Sequence, residues 1–102
     1  MNDDDPIYVK VDPMLAELAQ RFLSRCKNTA TEFRQALESR DWIVARRIGH
    51  SLFGTASSFG FDELAAIGKE IEEAARLEDA NALERLAERL EAHIPRLRTV
   101  SA

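Results

Sequence analysis

One cysteine, three prolines and four glycines are all that the 102 residues hold of those types. The lone cysteine, Cys26, excludes an internal disulfide framework and a multi-cysteine zinc site, and it suits a reducing compartment. No apolar run approaches the roughly 18 residues that a membrane-spanning helix needs. The opening MNDDDP has neither a basic n-region nor an apolar h-region, so it is not a secretory signal, and a cytoplasmic location is expected. Internal repeats and low-complexity tracts are absent, as are a G-x-x-x-x-G-K-[ST] phosphate loop and the H-x-x-x-H and C-x-x-C spacings of metal sites. A bound nucleotide, a cofactor or a metal of its own is therefore not expected. Eighteen acidic against fourteen basic residues give a formal charge of −4, which disfavours a general nucleic-acid binder.

What remains fits one domain with a real hydrophobic core. All three prolines (Pro6, Pro13, Pro95) lie near the chain ends, and between Pro13 and Pro95 the pattern is helical. Asp12 followed by Pro13 resembles an N-cap and first helical residue, and a stripe then runs through Leu15, Leu18, Phe22, Cys26, Thr29, Phe33 and Leu37. Asp41 can cap a second helix from about Trp42 to Ser58, which Gly60 closes. Asp62 and Glu63 open a third helix with Leu64, Ile67, Ile71 and Ala74 on its apolar face. A turn at Glu78-Asp79-Ala80-Asn81 leads to a fourth helix carrying Leu83, Leu86, Leu90, Ile94 and Leu97, kinked or frayed at Pro95. Short connections predict an all-α, antiparallel up-down four-helix bundle over residues 12–98. Residues 1–11 are expected to form a tail or cap, with Met1 to Asp5 disordered, and 99–102 a C-terminal tail.

The second helix is where pattern becomes chemistry. At about 100° per residue, Ile48, Leu52 and Phe59, with Ala45 and Ala56, cluster opposite His50 on the core face. Arg46, Arg47, Phe53, Gly54 and Ser57 fall within about 60° of His50. His50 therefore faces outward, either as a surface residue without a role or as a nucleophile, which a neutral imidazole can be near neutral pH. Gly54, one turn further on, costs the helix about 1 kcal/mol relative to alanine and clears the space above the imidazole. Gly49, nearer the core, better suits a close helix–helix contact. Ser51, one residue along, points about 100° away, so a Ser–His catalytic pair is not expected. Cys26 reads as a small buried hydrophobe, His93 lies beside the core stripe of the fourth helix, and Trp42 reads as packing that closes the bundle end.

The run Gly49-His50-Ser51-Leu52-Phe53-Gly54-Thr55-Ala56-Ser57-Ser58-Phe59-Gly60-Phe61-Asp62-Glu63-Leu64 resembles the signature of histidine-containing phosphotransfer (HPt) domains. That signature is a histidine, a leucine two residues on, usually lysine at the third, glycine at the fourth, then small residues and a further glycine. The likeness extends from Val11 to Leu97. It implies a four-helix bundle whose His50 takes a phosphoryl group, on Nε2, from the aspartate of a receiver domain and passes it on. Gly54 is then the clearance glycine and Leu52 the buried anchor. It also implies a phosphocarrier without turnover of its own. Its partners would be the receiver domain of a hybrid histidine kinase or a response regulator, with Mg2+ held by the receiver.

Position 53 departs from that signature, since Phe53 stands where lysine is usual. Arg46 and Arg47 could supply the charge beside the phosphoryl group. Phe53 could instead be an exposed apolar anchor for a partner, or pack at the helix flank against a neighbour. An exposed anchor would suit a different role, a helical adaptor that binds or sequesters a receiver or kinase without phosphate. Charge is uneven: Arg40 to Phe61 carries a local +2, whereas Asp62 to Glu91 carries −6. The basic stretch complements an acidic receiver pocket. The acidic stretch reads as solvated helix faces with pairs such as Glu72–Arg76 and a repulsive Glu84–Glu88. A monomer is expected.

Overall fold

In the computed structural model, which describes residues 4–102, three aspartates start helical segments by accepting a backbone N–H two or three residues on. Asp12 accepts from Met14 (2.9 Å), Asp41 from Val44 (3.1 Å) and Asp79 from Ala82 (3.1 Å). The first segment is only a 3-10 turn, Pro13–Leu15. Four α-helices follow: α1 (Ala16–Glu38), α2 (Trp42–Phe59), α3 (Asp62–Arg76) and α4 (Ala80–His93). Gly60, at φ 85°, ends α2 in the left-handed conformation that glycine adopts without strain. Arg40 and Glu78 take the same backbone region, each immediately before a capping aspartate. The turn between α3 and α4 is thus Leu77–Asp79, and Ala80 and Asn81 already belong to the helix.

The chain is not all-α. Ile7–Val11 forms a strand, β1, that pairs in parallel with β2 (Leu97–Ser101), from Ile7 opposite Leu97 to Val11 opposite Ser101. Pro95 does not fray a continuing helix. It sits in a 3-10 turn, Ile94–Arg96, where its fixed φ and missing N–H cost nothing, and the chain leaves that turn extended. Leu97 falls at helical spacing from Leu90 and Ile94, yet it is buried as the first residue of β2. Thr99 to Ser101, expected as tail, complete that strand, and Gln20 Nε2 donates to Thr99 Oγ1 at 2.5 Å. Arg96 Nε donates to the Asp5 carbonyl at 2.9 Å. The disorder expected for Met1 to Asp5 concerns, at Met1, Asn2 and Asp3, residues outside those described.

The core joins Phe22, Cys26 and Phe33 of α1 to Leu52, Leu64, Ile67, Ile71, Leu83 and Leu90. Rings of Phe22, Phe59 and Phe61 close one end, Phe22 lying 5.7 Å from each of the other two. Leu18 departs from its expected stripe and is half exposed, because the small Ala19 takes the inward position. Burial pushes the Cys26 thiol up to about 11, with Arg25 opposing, so it is an inert packing residue. Trp42 packs against the core with the Arg40 guanidinium 5.4 Å from its ring centroid. The acidic faces also tie helices together: Arg34 of α1 binds Glu84 and Glu91 of α4, and Arg89 binds Glu70 of α3 at 2.8 Å. No helix among the described residues is long and apolar enough to cross a membrane.

Candidate functional site

The site is built on two glycines. A Cβ on Gly49 would stand 2.6 Å from the Glu72 nitrogen and 2.7 Å from the Gly68 carbonyl oxygen. A Cβ on Gly68 would stand 2.7 Å from the Phe53 nitrogen and 2.9 Å from the Gly49 oxygen. Those separations are shorter than real Cβ contacts, so α2 and α3 can meet this closely only where both side chains are absent. Gly49 is the helix-contact glycine, as its place near the core side indicates.

This close approach lets side chains beside the glycines reach across the seam. His50 Nδ1 lies 2.9 Å from Glu72 Oε2. An ionised carboxylate can only accept, so the neutral ring donates its Nδ1–H there, and the lone pair is left on Nε2. The His50 side chain is 75% exposed and that of Glu72 28%. The imidazole thus stands in solvent while its orientation is set from the half-buried side. Leu52 is buried on the opposite face of α2.

Around the ring, His50, Ser51, Gly54, Thr55, Ser58 and Phe59 line a shallow open hollow. A Cβ built on Gly54 meets nothing within 4 Å, so this glycine answers no packing demand of the domain. Ser58 donates to the Gly54 carbonyl at 3.0 Å, which occupies its hydroxyl with its own helix. Ser57 is exposed but lies outside the hollow.

Arg46 and Arg47 are both exposed on α2. The Arg46 charge is felt on α3. There the Glu73 carboxyl is held below its usual range chiefly by its hydrogen bonds from Arg76, and also by the Arg46 charge. Arg47 lines the groove between α1 and α2 with Phe22, Arg25 and Ile48. Phe53 is half-buried and packs against the core, with Lys69 Nζ of α3 5.2 Å from its ring centroid. Position 53 is thus packed at the helix flank, with Lys69 over its ring.

Two residues of the site were not singled out from the pattern. Glu72, expected to pair with Arg76, pairs with His50 instead, and Arg76 bonds Glu73 at 2.5 and 3.1 Å. Lys69 was one charge in an acidic run. The available signal was glycine at both Gly49 and Gly68, each on the inner side of its helix. Among the described residues, no group of three or more His, Cys, Asp or Glu side chains is placed to hold a metal ion.

The family model described as Hpt domain matches residues 17–100. Comparison with curated proteins and with solved structures returned no match.

Proposed function

Because this chain belongs to the Hpt domain family, we propose that His50 carries a phosphoryl group between receiver-domain aspartates in a two-component phosphorelay. The observation that carries this reading is the exposed His50 imidazole, tied through Nδ1 to Glu72 and lining the same open hollow as Gly54. In the forward step the Nε2 lone pair attacks phosphorus in line. The P–O bond to the partner's aspartate breaks and its electrons return to that carboxylate. The ring becomes more cationic as the N–P bond forms, and the Glu72 carboxylate, already accepting the Nδ1–H, stabilises that charge. The receiver brings the divalent metal and most of the charge stabilisation, while this domain brings a positioned nucleophile. The return step delivers the group to a second receiver, so the domain is a carrier without turnover of its own.

The bundle proposed for this role is antiparallel and up-down. His50 pairs with Glu72 and Phe53 with Lys69, while Glu63 faces His93 and Glu70 meets Arg89. In each helix pair, higher numbers on one helix meet lower numbers on the other. Gly54 leaves room for a partner's surface, and Arg46 and Arg47 give the face a positive charge that suits the carboxylates of a receiver pocket.

The test is incubation with a phosphorylated receiver. Acid-labile, base-stable label on the wild type and none on His50→Ala is the expected result. Label that persists in His50→Ala, or wild-type protein that takes none from any receiver offered, overturns the proposal. His50→Gln should still bind the receiver.

A further inference from the structure

A phosphoryl group on His50 Nε2 would add nearly two negative charges to a ring that already touches the Glu72 carboxylate. The group therefore needs a cation that can come to it, and the candidates near the seam are few. Arg76 is committed to Glu73 by two hydrogen bonds. Arg46 acts on the same carboxyl only weakly and through space, and touches neither Phe53 nor Glu72 in any hydrogen bond or ion pair among the described residues. Arg47 faces the groove toward α1. Lys69 differs from these in touching a residue one helical turn from His50. Its ammonium makes no salt bridge among the described residues, and the contact it does make is with the face of Phe53.

Its position is set by the same seam. Phe53 follows His50 by three residues on α2, and Lys69 precedes Glu72 by three on α3, so each pair lies one helical turn apart on its own helix. Glu72 bonds His50, and Lys69 covers Phe53. The ammonium thus rests one turn from the imidazole, on a flexible four-carbon stem with three rotatable donors. A cation over an aromatic face at an exposed site is held weakly, whereas a charge-assisted bond to a phosphoryl oxygen is stronger.

We propose that Lys69 is the phosphate-pairing cation of the site and that Phe53 is the platform on which it waits. In the unphosphorylated protein the ammonium lies over the ring. Once His50 is phosphorylated it leaves Phe53 and donates to the phosphoryl oxygens, offsetting the Glu72 charge. Pairing there draws electron density from the oxygens whose lone pairs drive P–N cleavage, so it lengthens the life of the phosphohistidine. This inference rests on His50 as the phosphorylated residue.

The experiment labels His50 in two ways: from a phosphorylated receiver, and from phosphoramidate, which gives its phosphoryl group to the imidazole and leaves as ammonia. Lys69→Ala should shorten the phosphohistidine half-life and slow receiver transfer, each by about tenfold, with receiver binding and melting temperature unchanged. Lys69→Arg should restore most of both. By NMR, the Lys69 side-chain methylene signals should carry an upfield ring-current shift from Phe53 that disappears on phosphorylation. Unchanged half-life and transfer in Lys69→Ala, or methylene signals that stay ring-shifted in the phosphorylated protein, overturn the inference. Failure of every receiver to label the wild type would count against the relay instead, and the phosphoramidate arm would still decide the role of Lys69.

Discussion

Glu72 Oε2 stands 2.9 Å from His50 Nδ1, across a helix seam that is narrow because Gly49 and Gly68 have no side chains. The pair fixes both the tautomer and the direction of the ring, as the outer hydrogen bond of a ligating or nucleophilic histidine does elsewhere. Glu72→Ala is expected to lower the initial rate of phosphotransfer to His50 by about tenfold to a hundredfold. Glu72→Gln, whose amide oxygen can still accept the Nδ1–H, should lose less. Rates measured at saturating phosphorylated receiver separate this effect from weaker docking.

Gly68→Ala tests the seam itself. The added Cβ would meet the Phe53 nitrogen at 2.7 Å and the Gly49 oxygen at 2.9 Å, both backbone atoms that cannot swing aside. The helices must separate, at a cost of about 1–3 kcal/mol that outweighs the better helix propensity of alanine. A lower midpoint in urea should be accompanied by slower transfer, since the same separation pulls Glu72 away from His50. Equal stability and equal transfer would refute the link between the glycines and the site.

Gly54→Ala should behave in the opposite way. With nothing within 4 Å of its Cβ, the substitution strains nothing and improves the helix, raising stability by up to about 1 kcal/mol. Phosphotransfer from a receiver should nevertheless fall, because the methyl group occupies the approach to Nε2. A variant that is more stable and equally active would show that position 54 has no role in clearance.

His93 predicts a pH dependence unrelated to His50. It is 96% buried, with Nε2 unpartnered among the described residues. Burial holds its pKa below the ordinary 6.5, with Glu63 at 3.7 Å opposing and Arg96 and Arg89 assisting. The folded protein thus resists taking a proton that the unfolded chain accepts. Stability from this group is complete above pH 6.5 and is lost as pH falls from there toward the lower folded value. Urea titrations at intervals from pH 7.5 to pH 5 should show the loss, and His93→Phe should flatten it.

Much of this was legible in the order of residues. Asp41 and Asp79 act through their own neighbours three residues on, and Gly60 through its own backbone, so the helix limits follow from local chemistry. Periodicity alone placed His50 outward and Leu52 inward, because a helix turns by a constant angle. The likeness around Gly49 to Leu64 agrees with the family match over 17–100.

What lay beyond that reach depends on segments distant in the chain. Each strand of the ribbon is five residues long, and its partner lies about 90 positions away, so neither announces itself without the other. Leu97 keeps helical spacing and is a strand residue, because an extended chain can bury one leucine as well as a helix can. Glu72 could have paired with Arg76 on its own helix, and Lys69 could have been one more solvated charge. Their partners became His50 and Phe53 when two helices closed to backbone contact at Gly49 and Gly68, a distance set by packing between helices and invisible to the periodicity of either one.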